Sequence, residues 1–125
     1  MRFLRHAGLW SLLGYGYWAV TERETGRYVG DVGLADFRRE IVPPLDAPEV
    51  GWALAARAHG RGFATEAVRA TLAWSDANLA DGRTVCLIDP ENAASVRVAE
   101  KCGFRPSGRA VYKQNESLVF HRQRV

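Results

Sequence analysis

The run His59-Gly60-Arg61-Gly62-Phe63-Ala64-Thr65-Glu66-Ala67 sets two glycines directly ahead of a stretch of strong helix formers. The first turn of a helix leaves backbone N–H groups without intrahelical partners, and the helix dipole adds partial positive charge there. Such a start binds anions. Gly60 and Gly62 carry no Cβ, so a phosphate-sized group can come close to the main chain, and a positive φ costs little. No Lys-Ser/Thr follows, which excludes a P-loop, and the G-x-G-x-x-G spacing of a dinucleotide site is missing. The pattern fits either a phosphate cradle or a flexible connection that holds no ligand.

A second punctuation, Asp89-Pro90-Glu91-Asn92, has the same logic. Pro90 stops a strand and Asn92 is a good helix N-cap. If the strands ahead of the two helices run parallel, both helices start at one edge of the sheet. That edge is where open parallel sheets bind ligands. The three His and two Cys residues show no metal-ligand spacing, so no metal is expected.

The elements that would position these groups follow from periodicity. Pro48 to Ala55 reads as a strand in which Val50, Trp52 and Leu54 alternate with smaller or polar residues. Phe63 to about Asn78 reads as a helix with Ala67, Val68, Thr71, Leu72 and Trp74 on its apolar face, ended by Ala80-Asp81-Gly82. Thr84 to Ile88 is a continuous apolar strand, and strand, helix, strand at this spacing implies a right-handed parallel crossover. Ser95, Val98, Ala99 and Cys102 share one face of the next helix. Gly103 stands where a left-handed C-cap belongs, with Phe104 packing back. Upstream, Phe3, Ala7 and Trp10 recur at helical spacing and predict a short helix from Arg2 to about Leu12. Tyr17–Thr21 and Arg27–Phe37 form a hairpin around Glu24-Thr25-Gly26, with Gly30 and Gly33 marking a bulge or a close neighbour. Pro43-Pro44 mark a loop over 38–47. Ala110–Lys113 and Ser117–His121 close the chain as an antiparallel pair around Gln114-Asn115-Glu116. The fold class is α/β with a mixed sheet, in one domain over residues 1–125.

Composition is consistent with this. With 125 residues, 47% of them hydrophobic, the chain can build one core. A net charge of +3 from scattered arginines suits an anionic ligand but supplies no basic run for nucleic acid. Cys86 and Cys102 sit in apolar contexts and read as buried free thiols in a reducing, cytoplasmic setting. No apolar run is long enough for a membrane-spanning helix.

Taken together, H-G-R-G-F-A-T-E-A and N-A-A-S-V-R-V-A-E-K-C-G-F, in this order and preceded by E-V-G-W-A-L, resemble the GNAT superfamily of acetyl-CoA-dependent N-acetyltransferases. The likeness is nearest to the Rim-type branch, which includes acetyltransferases of ribosomal-protein N-termini, and it runs from about Tyr17 to the C-terminus. It implies a central twisted sheet splayed between two parallel strands. It also implies acetyl transfer from acetyl-CoA to a primary amine, on a protein N-terminus or a small molecule, by direct attack in a ternary complex. The family pattern Q/R-x-x-G-x-G/A falls on His59 to Ala64, so His59, Gly60, Arg61, Gly62, Phe63, Ala64 and Thr65 are implied to hold the CoA pyrophosphate. His59 stands where Gln or Arg is usual. The pantetheine arm is implied to bond the backbone of Trp52, Ala53 and Leu54. Asn92 either touches that arm or serves only as the cap.

The family's usual Tyr acid falls on Ala99. Ser95, one turn earlier, is then the nearest hydroxyl, to be read as a general acid or as part of the cap. Acetyl transfer needs a neutral amine, and Glu49 at the head of the strand is the candidate base, its alternative being a surface carboxylate. A backbone N–H on the splayed strand would serve the oxyanion. A thiolate of pKa about 8.5, by analogy with free Cys, leaves without a strong acid. The family carries a strand and a helix ahead of the point where Met1 stands, so an N-terminally shortened sheet is expected. The bare edge of the first hairpin then favours a homodimer through Met1–Leu13. A different class of reading is a CoA-binding or dimeric interaction module with impaired catalysis.

Overall fold

A computed structural model describes residues 2–5, 16–35, 47–60, 62–79 and 82–124. Among them, seven strands form one sheet: β1 (Arg2–Arg5), β2 (Tyr17–Thr21), β3 (Tyr28–Ala35), β4 (Glu49–Leu54), β5 (Arg83–Ile88), β6 (Arg105–Tyr112) and β7 (Asn115–Gln123). Their order is β1-β2-β3-β4-β5-β7-β6. Helix α1 (Phe63–Asn78) makes the crossover from β4 to β5, and α2 (Ala93–Lys101) follows β5. β4 and β5 run parallel, and the other neighbouring strands are antiparallel.

The parallel pair is barely a pair. Its register holds Glu49 opposite Val85, with the Val85 N–H donating to the Pro48 carbonyl at 3.0 Å, and goes no further. Beyond that point the two strands separate, as the splayed sheet of the resemblance implied.

Strand alternation decides what each face carries. Val20, Val32, Leu34 and Val50 turn to the helix side and are 0–1% exposed, packed with Ala67, Val68 and Leu72 of α1 and with Ala99 and Phe104. Each such fully buried Val or Leu contributes about 1.5–3 kcal/mol. Trp18 meets Trp74 of α1 edge to face, centroids 5.4 Å apart. The opposite face carries Tyr17, Gly33, Glu49 and Gly51, in register across the strands, and a small cluster of Ala110, Val119 and Leu87.

Three expectations change. Arg2–Arg5 is a strand, antiparallel to β2 from Arg2–Thr21 to Arg5–Trp18, where the sequence predicted the start of a helix. Backbone groups on the flank of β2 need partners, and a strand supplies them where three apolar residues at helical spacing do not. β1 therefore covers the hairpin edge from which a homodimer was argued. The rest of that predicted helix, and the loop at 38–46, fall outside the described residues. The closing strands are longer than the expected Ala110–Lys113 and Ser117–His121: β6 begins at Arg105, with a bulge between Pro106 and Gly108. The turn itself is Lys113-Gln114, both at positive φ. Elsewhere boundaries agree closely, and α1 runs over the predicted Phe63–Asn78. The end of α2 is also as read: Phe104 N–H donates to the Ala99 carbonyl and Gly103 N–H to that of Glu100, a Schellman closure with Gly103 at φ 92°.

β7 clamps the far end of α1. Arg122 donates two hydrogen bonds to the Asp76 carboxylate, at 3.0 and 2.8 Å, and Arg124 donates to the carbonyls of Asp76 and Leu79. The Arg122 guanidinium holds the Asp76 carboxyl below the usual carboxylate range. A depressed folded pKa gives stability that is complete above the unfolded value of about 3.9 and is lost as pH falls through the folded one. Asp76→Asn should therefore cost about 1 kcal/mol at about pH 7 and close on the parent at about pH 3. Urea unfolding at both pH values checks this; an equal gap at both would remove the ionic contribution.

Candidate active site

After β4 the chain makes a 3-10 turn at Ala56–Ala58, and the His59 N–H donates to the Ala56 carbonyl. The His59 ring then reaches back, Nε2 donating to the Leu54 carbonyl at 3.0 Å. A carbonyl can only accept, so this bond requires the proton on Nε2. His59 thus braces the loop against the end of β4. Gly60 and Gly62 lie at φ 74° and 79°, and nothing stands within 4 Å of a Cβ built on either. Their glycine character is demanded by the left-handed backbone, and it leaves the space above them open.

Gly62 is the N-cap of α1, and among the described residues no side chain caps that start. Helix geometry leaves the N–H groups of Ala64 and Thr65 without intrahelical partners. They border a cleft of about 460 Å³, within the size range of small-molecule sites. The second helix forms the facing wall. Asn92 caps it, Oδ1 accepting the Ser95 N–H at 3.1 Å, so the cap reading of Asn92 holds. Asn92 also borders the cleft, which leaves it placed for a ligand as well. Farther along, Arg97 and Lys101 add positive charge to the same wall. Arg69 of α1 donates to the Lys101 carbonyl at 3.2 Å, tying the two helices at that end.

A smaller cleft of about 160 Å³ adjoins, bordered by Glu49, Gly51, Leu87 and Asp89. Trp52, Asn92 and Ser95 border both clefts. Together the two follow the gap between β4 and β5. Backbone parity says which groups face it. The Ala55 N–H donates to Val29 on β3, while the Pro48 carbonyl faces β5. Main-chain groups alternate sides along a strand, so those of Trp52 and Leu54 turn toward the gap and those of Ala53 toward β3.

Of the residues singled out from sequence, Trp52, Ala53, Leu54, His59, Gly60, Gly62, Ala64, Thr65, Asn92 and Ser95 come together around the larger cleft. Phe63 departs from this: its ring packs against the core and only its position heads the helix. Arg61 lies outside the described residues. Glu49 is 8% exposed, which replaces the surface-carboxylate reading with a buried one at the apex of the gap. Ala99 is 0% exposed and is spent on the core. The Cys86 thiol is held protonated, pushed up by burial and by the neighbouring Glu49 charge, so it is a poor nucleophile. Sequence reading missed Arg97 and Lys101. Their signal was the spacing of one helical face with Ala94 and Val98.

Residues 2–105 match the Acetyltransferase (GNAT) domain. The chain belongs to the GNAT acetyltransferase family. It is 34% identical over 113 residues to the Bacillus subtilis (strain 168) protein YkkB, covering 89% of this chain and 63% of that one. A solved structure described as a GnaT-family acetyltransferase from Bordetella pertussis superposes with a TM-score of 0.83 at 34% identity, over 92% of this chain and 70% of that one. An acetyltransferase from Agrobacterium tumefaciens str. C58 follows at 0.77 and 30%, over 92% and 64%. The ribosomal-protein-S5-alanine acetyltransferase of Vibrio fischeri shares the fold at 23% identity, TM-score 0.73, over 87% and 61%. The chain thus spans less than two thirds of the length of YkkB.

The family's co-substrate is acetyl-CoA, which gives the glycine loop a test. A β-branched residue at the φ of Gly62 costs about 1–3 kcal/mol of strain and puts methyls into the open space. Gly62→Val should remain folded by circular dichroism while calorimetric titration finds acetyl-CoA affinity down by about tenfold or more. A folded variant binding as tightly as the parent would remove this loop from the site.

Proposed function

We propose that this protein is an N-acetyltransferase that moves the acetyl group of acetyl-CoA to a primary amine by direct attack in a ternary complex. The observation that carries the reading is the opening between β4 and β5, with an anion-binding helix start at one end and a buried carboxylate at its apex. In this reading the N–H groups of Gly62, Ala64 and Thr65 hold the pyrophosphate, aided by Arg97 and Lys101. The main chain of Trp52 and the N–H of Leu54 supply the bonds that β5 does not make, and so hold the pantetheine arm extended.

Glu49 takes the proton of the attacking amine, directly or through water. It is suited to this by its burial and by its place in the smaller cleft, at the head of β4. A backbone N–H of β4 faces the developing oxyanion. Ser95, bordering both clefts, is the hydroxyl nearest the path of the departing sulfur and can return a proton to it. With Ala99 in the core, no tyrosine acid stands there, and a thiolate of pKa about 8.5 tolerates that loss.

The acceptor is a protein N-terminus or a small-molecule amine, and we assign the chain to the Rim-type branch on the two sequence blocks quoted above. The buried thiols of Cys86 and Cys102 suit a reducing, cytoplasmic setting. A homodimer is a separate proposal, checked by light scattering over a concentration series. The second reading, a CoA-binding module with impaired catalysis, is favoured by the buried Ala99. It requires tight acetyl-CoA binding with no thiol release over a panel of amines and peptides, and that result would displace the enzyme reading.

Base catalysis gives a pH signature. Glu49→Gln should lower turnover about 100-fold at about pH 7, where alkyl amines are mostly protonated. The deficit should shrink toward about pH 10, where free amine is plentiful. A loss of equal size across the pH range would make Glu49 a positioning residue.

A further inference from the structure

Tyr17, Gly33 and Gly51 form one row across three strands. Tyr17 stands opposite Gly33 on β3, and Gly33 opposite Gly51 on β4. The row lies on the face away from the helices, since the adjacent row of Trp18, Val32 and Trp52 packs with the core. A Cβ built on Gly33 would come within 2.9 Å of Tyr17 Cγ, and one on Gly51 would overlap the Tyr17 hydroxyl. The ring therefore lies across the sheet in a trough made by two glycines, and its hydroxyl rests on β4. Neither glycine has a positive φ. At Gly51 the phenol hydroxyl is what excludes a side chain, while at Gly33 the neighbouring backbone, Gly16 O at 2.4 Å and Tyr17 Cα at 2.5 Å from a built Cβ, excludes one before the ring does.

The destination of that hydroxyl is informative. Gly51 borders the smaller cleft, as does Glu49 two residues away on the same face of the same strand. Alternate residues of a strand are about 6.6 Å apart, and the Glu49 side chain leaves its Cα on the face across which the Tyr17 ring lies. The Tyr17 hydroxyl, over Gly51, and the Glu49 side chain thus share one face of β4.

We propose that Tyr17 contacts the acceptor: its hydroxyl oxygen accepts one N–H of the incoming amine while Glu49 engages another. This rests on the acetyltransferase reading. A neutral primary amine has two N–H groups and one lone pair. With both N–H groups held, the lone pair points into the gap. On attack the nitrogen bonds the acetyl carbon, the carbon–sulfur bond breaks, and the extra proton on nitrogen passes to the Glu49 carboxylate. Tyr17 keeps its own proton throughout. A neutral secondary amine has a single N–H and cannot satisfy both partners, so Tyr17 sets a preference for primary amines.

Tyr17→Phe keeps the ring and removes the oxygen. Acetyl-CoA affinity, by calorimetry, should stay within about twofold of the parent. For an amine that the parent acetylates, kcat/KM should fall about tenfold or more, with little change for its N-methyl derivative, so that the primary-over-secondary preference narrows. Unchanged kinetics for both amines, or an equal loss for both, would overturn the proposal, as would a matching loss of acetyl-CoA affinity. A parent that binds acetyl-CoA but acetylates no amine would instead bring down the acetyltransferase reading, and this assignment with it. Geometry has its own check. Gly51→Ala alone should lower Tm, and adding Tyr17→Phe should restore most of it, because the nearest remaining ring atom, Cζ, is 3.2 Å from the new Cβ. A double variant no more stable than Gly51→Ala would show that the hydroxyl does not rest on Gly51.

Discussion

Two parallel strands that part after one register pair are the constraint on which the rest depends. Such a gap would ordinarily close, because main-chain N–H and C=O groups seek partners. Here each strand is held from its outer side. β4 keeps six register pairs with β3, and β5 keeps six with β7. The two ladders fix the strands while the core beneath them, from Val50 to Ile88, holds their spacing. The inner main-chain groups of Trp52 and Leu54 are left turned toward a cleft. A partner with an extended chain of amides, such as pantetheine, meets the same need that a strand would.

Electrostatics then give the gap a direction. Positive character gathers at one end, from the start of α1 and from Arg97 and Lys101 on α2. Carboxylates gather at the other, where Glu49 and Asp89 border the smaller cleft. Negative charge is thus favoured at one end of the gap and positive charge at the other. Glu49 is buried where the strands begin to part, so its charge acts with less screening than a surface carboxylate would have.

Several remote contacts serve this arrangement. His59 ties the glycine loop to the Leu54 carbonyl, so the loop and the strand it leaves move as one unit. Arg122 and Arg124 hold the C-terminal end of α1, and Arg69 links it to the end of α2. The trough that seats Tyr17 needs glycine on two neighbouring strands at matched register. Sequence marks Gly33 as a bulge or a close neighbour and does not single out Gly51. Only their juxtaposition shows that they clear the way for one ring.

Sequence by itself determined the parts whose causes are local. The helix of α1, the Asn92 cap, the Gly103 closure and the glycine loop each follow from residue types within a few positions of one another. The strand, loop, helix order around Glu49 to Asn78 carried the family likeness for the same reason. Tertiary structure decided what depends on distant partners. The apolar spacing at Phe3, Ala7 and Trp10 pointed to a helix, yet Arg2–Arg5 is a strand, because its conformation is set by hydrogen bonds to β2. Pro106 to Gly108 joined β6 through a bulge whose partner lies on β7. Glu49 changed from a surface carboxylate to a buried one, since burial depends on β5 and its neighbours, more than thirty positions away. The Tyr17 hydroxyl reaches β4 only because three strands bring a tyrosine and two glycines into one row, a relation that no local pattern in the chain encodes.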